Sequence, residues 1–318
     1  MGPISCSYYV TTLCNAKCGF CNIWEGAAAD KPKLLPTPDC QRIIAGLKKI
    51  GVKYIDFTGG EPLLEPRTLE LLEYAKSLGI KTGLVSNGFV FPKYADRVAG
   101  LVDSISFSLD SADPDRHNAS RGLKCYDRVM ESIELARQRK MLVNINYTVS
   151  NDALDEIPGM ADLAKKMKIL VYVMPVFSYF GNDALREDYV QRLRELFNKP
   201  YMSVNLGALA FQEQGGNHTA KPKCKANGAN VAISPDGRYY LPCFHSAIEK
   251  PLIAKDMLKQ WKSPDIAGYR DRGGSYPFCE GCTVWCYIGP SFFYTPDKYF
   301  VLQAWSLART SLKVARSR

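Results

Sequence analysis

Three cysteines, Cys14, Cys18 and Cys21, stand within eight residues near the start of the chain. Thiolates bind soft metals and iron–sulfur clusters. A closed zinc site or an all-cysteine cluster uses four protein ligands, so a set of three leaves one metal position open. An iron at that position could bind and activate a substrate or cofactor. Spacing alone also allows a zinc knuckle whose fourth ligand comes from elsewhere in the chain.

Five further cysteines lie in the last third of the chain, at Cys224, Cys243, Cys279, Cys282 and Cys286. The first two flank a strand-like stretch at 230–234, a Pro-Asp-Gly turn at 235–237 and a second stretch at 238–241. This pattern predicts a β-hairpin. A hairpin and a CxxC loop can bring four thiolates together. On the residues alone, the group is either a zinc ribbon or an iron–sulfur site.

Short runs rich in Val, Ile, Tyr and Phe alternate with helix-like runs along the first two thirds of the chain. They predict strands at 7–10, 54–58, 82–86, 104–109, 143–149 and 170–176, and helices at 39–49, 66–77, 92–99, 126–140, 154–166 and 185–197. Six alternations predict an α/β fold with a parallel sheet, an open or partial (β/α)6 barrel. We expect this barrel in residues 1–200. Residues 201–318 are expected to form a small cysteine-rich extension with the hairpin, a helix at 254–261 and a closing C-terminal helix.

Distinctive polar motifs follow the predicted strands, and ligands of parallel α/β folds bind at the carboxyl ends of strands. Each motif also has a local explanation as a turn, a helix-start carboxylate or a cap. Their joint placement favours one common pocket. The motifs are Cys14–Cys21 after strand one, Gly59-Gly60-Glu61-Pro62 after strand two, Ser86-Asn87-Gly88 after strand three, and Ser108-Leu109-Asp110 ending strand four.

The pattern Cys14-x3-Cys18-x2-Cys21, with Phe20 before the last cysteine, resembles the signature of the radical S-adenosylmethionine (radical SAM) superfamily. The resemblance implies a [4Fe–4S] cluster on the three cysteines, with S-adenosylmethionine (SAM) bound to the fourth iron. One electron then cleaves SAM to methionine and a 5′-deoxyadenosyl radical, which abstracts hydrogen from a substrate. The motifs after strands two, three and four resemble those of the same superfamily, in the same order.

The resemblance also implies which residues contact SAM. Phe20 would pack near the adenine. The motif His117-x3-Arg121-Gly122 resembles a loop whose arginine pairs with the methionine carboxylate, a role that suits a guanidinium fork. The amino group of SAM is expected at Gly59, Gly60 and Glu61, and its ribose and methionine portions at Ser86, Asn87, Ser108 and Asp110.

The C-terminal cysteines resemble the SPASM/twitch extension of that superfamily, which implies a second, auxiliary [4Fe–4S] cluster. Five cysteines are too few for two additional clusters. We expect one cluster on Cys224, Cys243, Cys279 and Cys282, with Cys286 either replacing one of these or unligated. Such a cluster could accept an electron from a substrate radical, bind the substrate, or relay electrons to the first cluster.

Composition limits the compartment and the partners. The chain has 318 residues, a net charge of +9, and eleven cysteines without a secretion signal, which predicts a cytoplasmic protein rather than a disulfide framework. No apolar run is long enough to span a membrane. The basic residues are spread along the chain, so we expect no nucleic-acid partner, whereas anionic substrates or a peripheral membrane contact are compatible with the charge. The aromatic tail after Trp285 is expected to pack against the barrel; a wall for a flat or greasy substrate, or a lipid-touching surface, are the alternatives.

The sequence therefore predicts a radical SAM oxidoreductase or transforming enzyme of a biosynthetic pathway. The expected substrate is a small or lipophilic metabolite that undergoes net oxidation or skeletal modification, with a flavodoxin or ferredoxin as electron donor. The alternatives are a peptide- or protein-modifying enzyme of the RiPP or sulfatase-maturation type, a tetrapyrrole or cofactor-pathway side-chain oxidase, and a non-enzymatic zinc-binding module. No acid or base is assigned; His117, Asp110 and Tyr147 are the candidates near the mouth of the barrel.

Overall fold

One sheet organises the protein in the computed structural model, which describes residues 2–25, 34–176 and 185–317. The described residues form eight strands, all paired in parallel, in the order β7-β6-β5-β4-β3-β2-β1-β8. This arrangement confirms the predicted partial-barrel α/β fold. The strands are β1 Ser5–Thr11, β2 Tyr54–Gly59, β3 Lys81–Ser86, β4 Ser104–Ser108, β5 Val143–Val149, β6 Leu170–Pro175, β7 Met202–Ser203 and β8 Asn230–Ile233.

Two of these strands lie outside the six predicted units. β7 pairs with β6, and β8 pairs with β1, where Cys6 stands opposite Val231. The residues of β8 were expected only as the first arm of a separate hairpin. The turn at 235–237 does form, and Ile233 bridges back to Tyr239, yet the same arm is also an edge of the barrel sheet. The sheet therefore extends past residue 200, and the predicted division into two domains stays a prediction.

Helices lie near the predicted positions, and further helices form where none was predicted, at Pro114–Arg121, Leu206–Glu213 and Pro264–Asp271. The helix Pro114–Arg121 was expected as a loop, although Asp113 caps it by accepting from the backbone N of Arg116 at 2.9 Å. His117 and Arg121 are thus helical residues. The helices are α1 Thr37–Ile50, α2 Thr68–Ser77, α3 Ala95–Val98, α4 Pro114–Arg121, α5 Tyr126–Gln138, α6 Ile157–Met167, α7 Tyr189–Glu195, α8 Leu206–Glu213, α9 Met257–Trp261, α10 Pro264–Asp271, α11 Trp285–Phe292 and α12 Lys298–Ser317.

The two faces of the sheet differ in polarity. Along β4, Ile105 and Phe107 are fully buried, while Ser104, Ser106 and Ser108 on the opposite face are only half-buried. This alternation follows from the two-residue period of a strand. The apolar face packs in the core, so the polar face is left for ligands. Within the described residues, no helix is both long enough and apolar enough to cross a membrane.

Candidate active site

The glycine pair after β2 holds the start of the cysteine loop. Gly59 has a φ of +139°, in the region that favours glycine. A Cβ at Gly59 would lie 2.2 Å from the carbonyl oxygen of Thr11, and one at Gly60 would lie 2.1 Å from that of Leu13. The backbone N–H of Gly60 donates to Thr11 and that of Glu61 to Leu13, both at 2.8 Å. Only residues without side chains allow this close approach to the backbone that leads into Cys14.

The Glu61 carboxylate joins the loops that follow β2 and β3. It is fully buried; Oε1 accepts from the backbone N of Leu63 at 3.1 Å and from Ser86 Oγ at 2.9 Å. Oε2 accepts from the backbone N of Asn87 at 2.7 Å. Burial raises the pKa of Glu61 to about 7, although these hydrogen bonds oppose the rise. Both oxygens thus already have partners in the protein, which gives Glu61 a positioning task beside the SAM contact that the resemblance implies.

Asn87 connects the loop after β3 directly to the first cysteine. Its Nδ2 donates to Asn15 Oδ1 at 2.7 Å and lies 3.9 Å from Cys14 Sγ. Its Oδ1 accepts from the backbone N of Phe89 at 3.0 Å. The side chain is therefore held at both ends, with its amide N–H groups directed at the cysteine loop.

Arg121 and Asp110 form a buried ion pair at the second cysteine. Arg121 Nε lies 2.6 Å from Asp110 Oδ2, and Nη2 donates to Oδ1 at 2.8 Å. The third guanidinium nitrogen, Nη1, lies 3.7 Å from Cys18 Sγ, and the guanidinium carbon stands 5.2 Å from the centre of the Phe20 ring. From the sequence, Arg121 was expected to pair with the methionine carboxylate of SAM. In the structure its first partner is Asp110, so the two predicted SAM contacts bind each other.

The acid–base candidates are engaged within the protein. His117 Nδ1 accepts from the backbone N of Asp110 at 3.2 Å, and its Nε2 lies 3.4 Å from Cys125 Sγ. Burial lowers the pKa of His117 to about 4, so its ring is neutral at physiological pH. The Tyr147 hydroxyl donates to the carbonyl of Ala153 in the buried interior. Among the described residues, no hydrogen bond joins either side chain to Cys14, Cys18 or Cys21.

The donor chemistry of the first three cysteines fits an iron–sulfur cluster. Cys18 is buried and Cys14 and Cys21 are half-buried. Burial raises the pKa of Cys14 to about 11, and the nearby Cys18 and Cys21 thiols contribute to the rise, so the three sulfurs share one environment. Among the described residues, no three Cys, His, Asp or Glu side chains are grouped closely enough to hold a metal ion. A cluster does not need such convergence, because each thiolate binds a different iron.

Four of the five C-terminal cysteines line one enclosed, apolar cavity. These are Cys224, Cys243, Cys279 and Cys282. Burial raises the pKa of Cys224 well above its ordinary value, and the other three thiols raise it further. The cavity lining does not include Cys286, which is exposed with its Sγ 3.8 Å from His245 Nε2. Cys286 therefore does not line this cavity, although its thiol is near enough to Cys243 and Cys282 for both to raise its pKa, after the larger effect of burial.

Asn217 positions this second group, although the sequence analysis assigned it no role. Its Oδ1 accepts from the backbone N of Cys224 at 3.2 Å, and its Nδ2 donates to the carbonyl of Cys279 at 3.1 Å. Its backbone N also donates to the carbonyl of Cys282 at 3.0 Å. One fully buried residue thus bonds the backbone of three of the four cysteines. An isolated Asn in a Gly-rich stretch carries no signal of this role.

The inner face of the barrel holds a carboxylate that the sequence analysis also missed. Asp56 Oδ1 accepts from the Tyr54 hydroxyl at 3.2 Å. Gly83 makes room for them, because a Cβ there would lie 1.9 Å from the Tyr54 oxygen and 2.5 Å from Asp56 Oδ1. Burial raises the pKa of Asp56 to about 6. In the described ranges no Lys or Arg forms an ion pair with it.

A cavity of about 730 Å³ opens at the carboxyl ends of β4, β5 and β6. Phe20 and Asp110 line it, together with Gly19, Ser111 and Ser150. Nearby, Ser108 is half-buried at the end of β4, and its hydroxyl has no hydrogen-bond partner within the part of the chain that the structure describes. The predicted motifs thus converge on one end of the barrel, as the sequence indicated.

Residues 8–164 match the family model of the radical SAM superfamily. This chain belongs to the radical SAM superfamily. The family binds a [4Fe–4S] cluster together with SAM, and the donor set of Cys14, Cys18 and Cys21 suits that cluster.

The radical SAM chain resembles curated proteins over part of their length. It is 29% identical over 169 residues to a probable GTP 3′,8-cyclase from Methanococcus maripaludis, covering 52% of this chain and 56% of that protein. It is 29% identical over 175 residues to an AdoMet-dependent heme synthase from Methanosarcina barkeri, covering 54% of this chain and 49% of that protein. The chain therefore spans about half the length of these curated relatives.

Solved structures share the fold of this radical SAM chain. Streptococcus suis SuiB bound to S-adenosylmethionine superimposes with a TM-score of 0.67 at 20% identity, covering 84% of this chain and 65% of SuiB. The protein anSMEcpe with bound AdoMet and a Cp18Cys peptide gives a TM-score of 0.64 at 16% identity, covering 98% of both chains. At these identities the likeness shows the fold alone.

Proposed function

We propose that this radical SAM enzyme cleaves SAM reductively at a cluster held by Cys14, Cys18 and Cys21, and abstracts hydrogen from a small molecule in the barrel. When bound, the cluster and SAM supply a 5′-deoxyadenosyl radical. The observation that carries the proposal is the direct contact of two separate motifs, the loop after β3 and the end of α4, with the cysteines. Asn87 reaches Cys14, and Arg121 reaches Cys18.

These two side chains act on the thiolates. N–H groups that point at a metal-bound sulfur stabilise its negative charge, and such outer contacts also orient the ligand. Asp110 keeps the Arg121 guanidinium in place, and Glu61 keeps the Asn87 backbone in place. Phe20 lies on Arg121 and lines the cavity, where it helps exclude water. The hydroxyl of Ser108, which has no partner among the described residues, is available to SAM.

We infer that Cys224, Cys243, Cys279 and Cys282 hold a second [4Fe–4S] cluster. The support is their shared apolar cavity and the anchoring of three of their segments by Asn217. Cys286 is outside this set. A cluster here could take an electron from the substrate radical, which would make the net reaction an oxidation.

For the substrate, we propose a molecule that presents a cationic or hydrogen-bond-donating group to Asp56. A carboxylate on the polar inner face, without a basic partner among the described residues, suits such a group. Relatives named GTP 3′,8-cyclase and heme synthase support modification of a small-molecule skeleton, including the tetrapyrrole alternative. The GTP 3′,8-cyclase name supports rearrangement more than oxidation of a lipophilic metabolite.

Peptide modification is the second candidate. The observation in its favour is the overlap with anSMEcpe along 98% of both chains, since that structure holds a peptide. The zinc-module alternative is dropped, because the chain is a radical SAM enzyme. The flavodoxin- or ferredoxin-type electron donor and the cytoplasmic location stay predictions.

The test is anaerobic reconstitution with iron and sulfide, followed by reduction in the presence of SAM. We expect 5′-deoxyadenosine from the wild type and none from Cys18→Ala. Cys282→Ala should retain some cleavage but form no product with the true substrate. Cys40→Ala, which removes a buried thiol outside both groups, serves as the control and should behave as wild type. Undiminished cleavage by Cys18→Ala would refute the proposal.

A further inference from the structure

The last helix, α12, packs on the protein with its polar side. Gln303, Ser306, Thr310 and Lys313 are buried, with exposures of 2%, 3%, 9% and 9%. Ser306 Oγ accepts from the backbone N of Leu206 at 3.0 Å, and Gln303 Oε1 accepts from Asn205 Nδ2 at 2.9 Å. The Lys313 ammonium donates to the carbonyls of Phe197 and Met202 at 2.9 and 2.6 Å. The polar face of α12 is therefore held against the protein by hydrogen bonds.

The opposite side of α12 is apolar and exposed. Val301, Trp305 and Leu312 are 63%, 57% and 66% exposed. With Ala308 between them they follow the spacing i, i+4, i+7, i+11, so they form one stripe along the helix. A surface helix ordinarily buries such a stripe and exposes its polar side. The inversion leaves a large apolar surface without a covering element among the described residues, which marks an interaction site.

Charge indicates what kind of surface covers this stripe. Residues 298–317 include no Asp or Glu, and the whole chain carries a net charge of +9. Lys298 lies along one flank of the stripe by helical position, as does Arg309, whose guanidinium also stacks on Phe197 and donates to Asn198 Oδ1 at 3.0 Å. A Trp in the middle of an apolar stripe with basic neighbours is the pattern of helices that lie in a membrane interface. An anionic lipid surface matches the apolar stripe and the positive charge together.

We propose that α12 docks the protein on an anionic lipid bilayer, with Val301, Trp305 and Leu312 inserted at the boundary between headgroups and acyl chains. The helix lies on the membrane and does not cross it. Lys298 and the net positive charge of the chain attract the anionic headgroups, and the apolar stripe supplies the binding free energy. The inference goes beyond the reaction proposed above and does not depend on it.

Vesicle flotation with the full chain tests this inference. The probes are vesicles of phosphatidylglycerol mixed equally with phosphatidylcholine, and vesicles of phosphatidylcholine alone. We expect the wild type to float with the anionic vesicles and to dissociate at high salt. The double variant Val301→Ser, Leu312→Ser should bind at least about tenfold more weakly, because two inserted apolar side chains are lost. Both positions are exposed, so the fold and SAM cleavage should be unchanged.

The control is Leu252→Ser, which removes an equally apolar side chain that is 56% exposed outside α12. It should float as the wild type does. No flotation of the wild type, or equal binding by the wild type and the double variant, would overturn the proposal. The proposal would also be overturned if the wild type bound no vesicles but increased in mass with concentration by light scattering, and the double variant did not. The stripe would then contact a second copy of the chain.

Discussion

Removal of the Asp110 carboxylate is the sharpest perturbation of the site. This side chain is 2% exposed and accepts from Arg121, from the backbone N of Thr148 at 3.1 Å and from Ser120 Oγ at 3.3 Å. Asp110→Ala would leave the Arg121 guanidinium, which is also buried, without its counter-charge. Breaking one side of a buried pair costs about 3–5 kcal/mol, because the other charge stays buried and unpaired. We therefore expect a loss of that size in the free energy of unfolding.

Urea denaturation of wild type and variant, prepared identically under anaerobic conditions, measures the loss. Asp96→Ala is the matched control: Asp96 also pairs with an arginine, Arg139, at 2.7 Å, but its side chain is 88% exposed. An exposed pair contributes about 0–1 kcal/mol. Equal losses in the two variants, or a loss below about 1 kcal/mol in Asp110→Ala, would refute the assignment of a buried pair that holds Arg121 against Cys18.

Three further predictions concern the positioning residues and the barrel interior. Glu61→Gln has one acceptor oxygen where the carboxylate has two, so its amide NH2 faces the backbone N–H of either Leu63 or Asn87, and the change should cost about 1–3 kcal/mol in urea denaturation. Burial raises the pKa of Glu61 from 4.5 to about 7, so the contribution of Glu61 to wild-type stability is full below about pH 4.5 and is lost as the pH rises through about 7. If Glu61→Gln had the same pH dependence of stability as the wild type, this account would be contradicted. Asn217→Ala should lose iron from the C-terminal site while SAM cleavage remains, and full iron retention would exclude an anchoring role. Asp56→Asn should raise the KM for the substrate at least about tenfold with abortive SAM cleavage intact; an unchanged KM would remove Asp56 from the substrate contacts.

Most of the fold could be predicted because six strands and their helices carry strong local patterns. The remaining parts depend on partners that are distant in the chain. β7 has two residues, too few for any periodicity. The sequence of β8 predicts a strand, but nothing in the neighbouring residues indicates that this strand pairs with β1. The start of α4 was predictable in principle, since Asp113 followed by Pro114 is a capping signal.

The site motifs were identified because they stand at the ends of successive strands. Their mutual contacts were not predictable, since composition does not tell whether Arg121 faces a ligand or Asp110. The tail after Trp285 was expected to pack against the barrel, and its aromatic residues Tyr287, Phe292 and Tyr299 are buried. Beyond Tyr299, the hydrogen-bonding partners Asn205, Phe197 and Met202 select the polar face of α12, which the sequence did not indicate.

The central claim, a radical SAM enzyme with two clusters, is tested most directly by iron and sulfide analysis with Mössbauer spectroscopy of the reconstituted chain. Two [4Fe–4S] clusters predict about eight irons per chain. The triple Ala variant of Cys14, Cys18 and Cys21 should retain about four, and so should the quadruple Ala variant of Cys224, Cys243, Cys279 and Cys282. Of these two variants, only the quadruple variant should keep a cluster signal that changes when SAM is added, as the signal of the wild type does. About four irons in the wild type, or zinc in the C-terminal site, would contradict the claim.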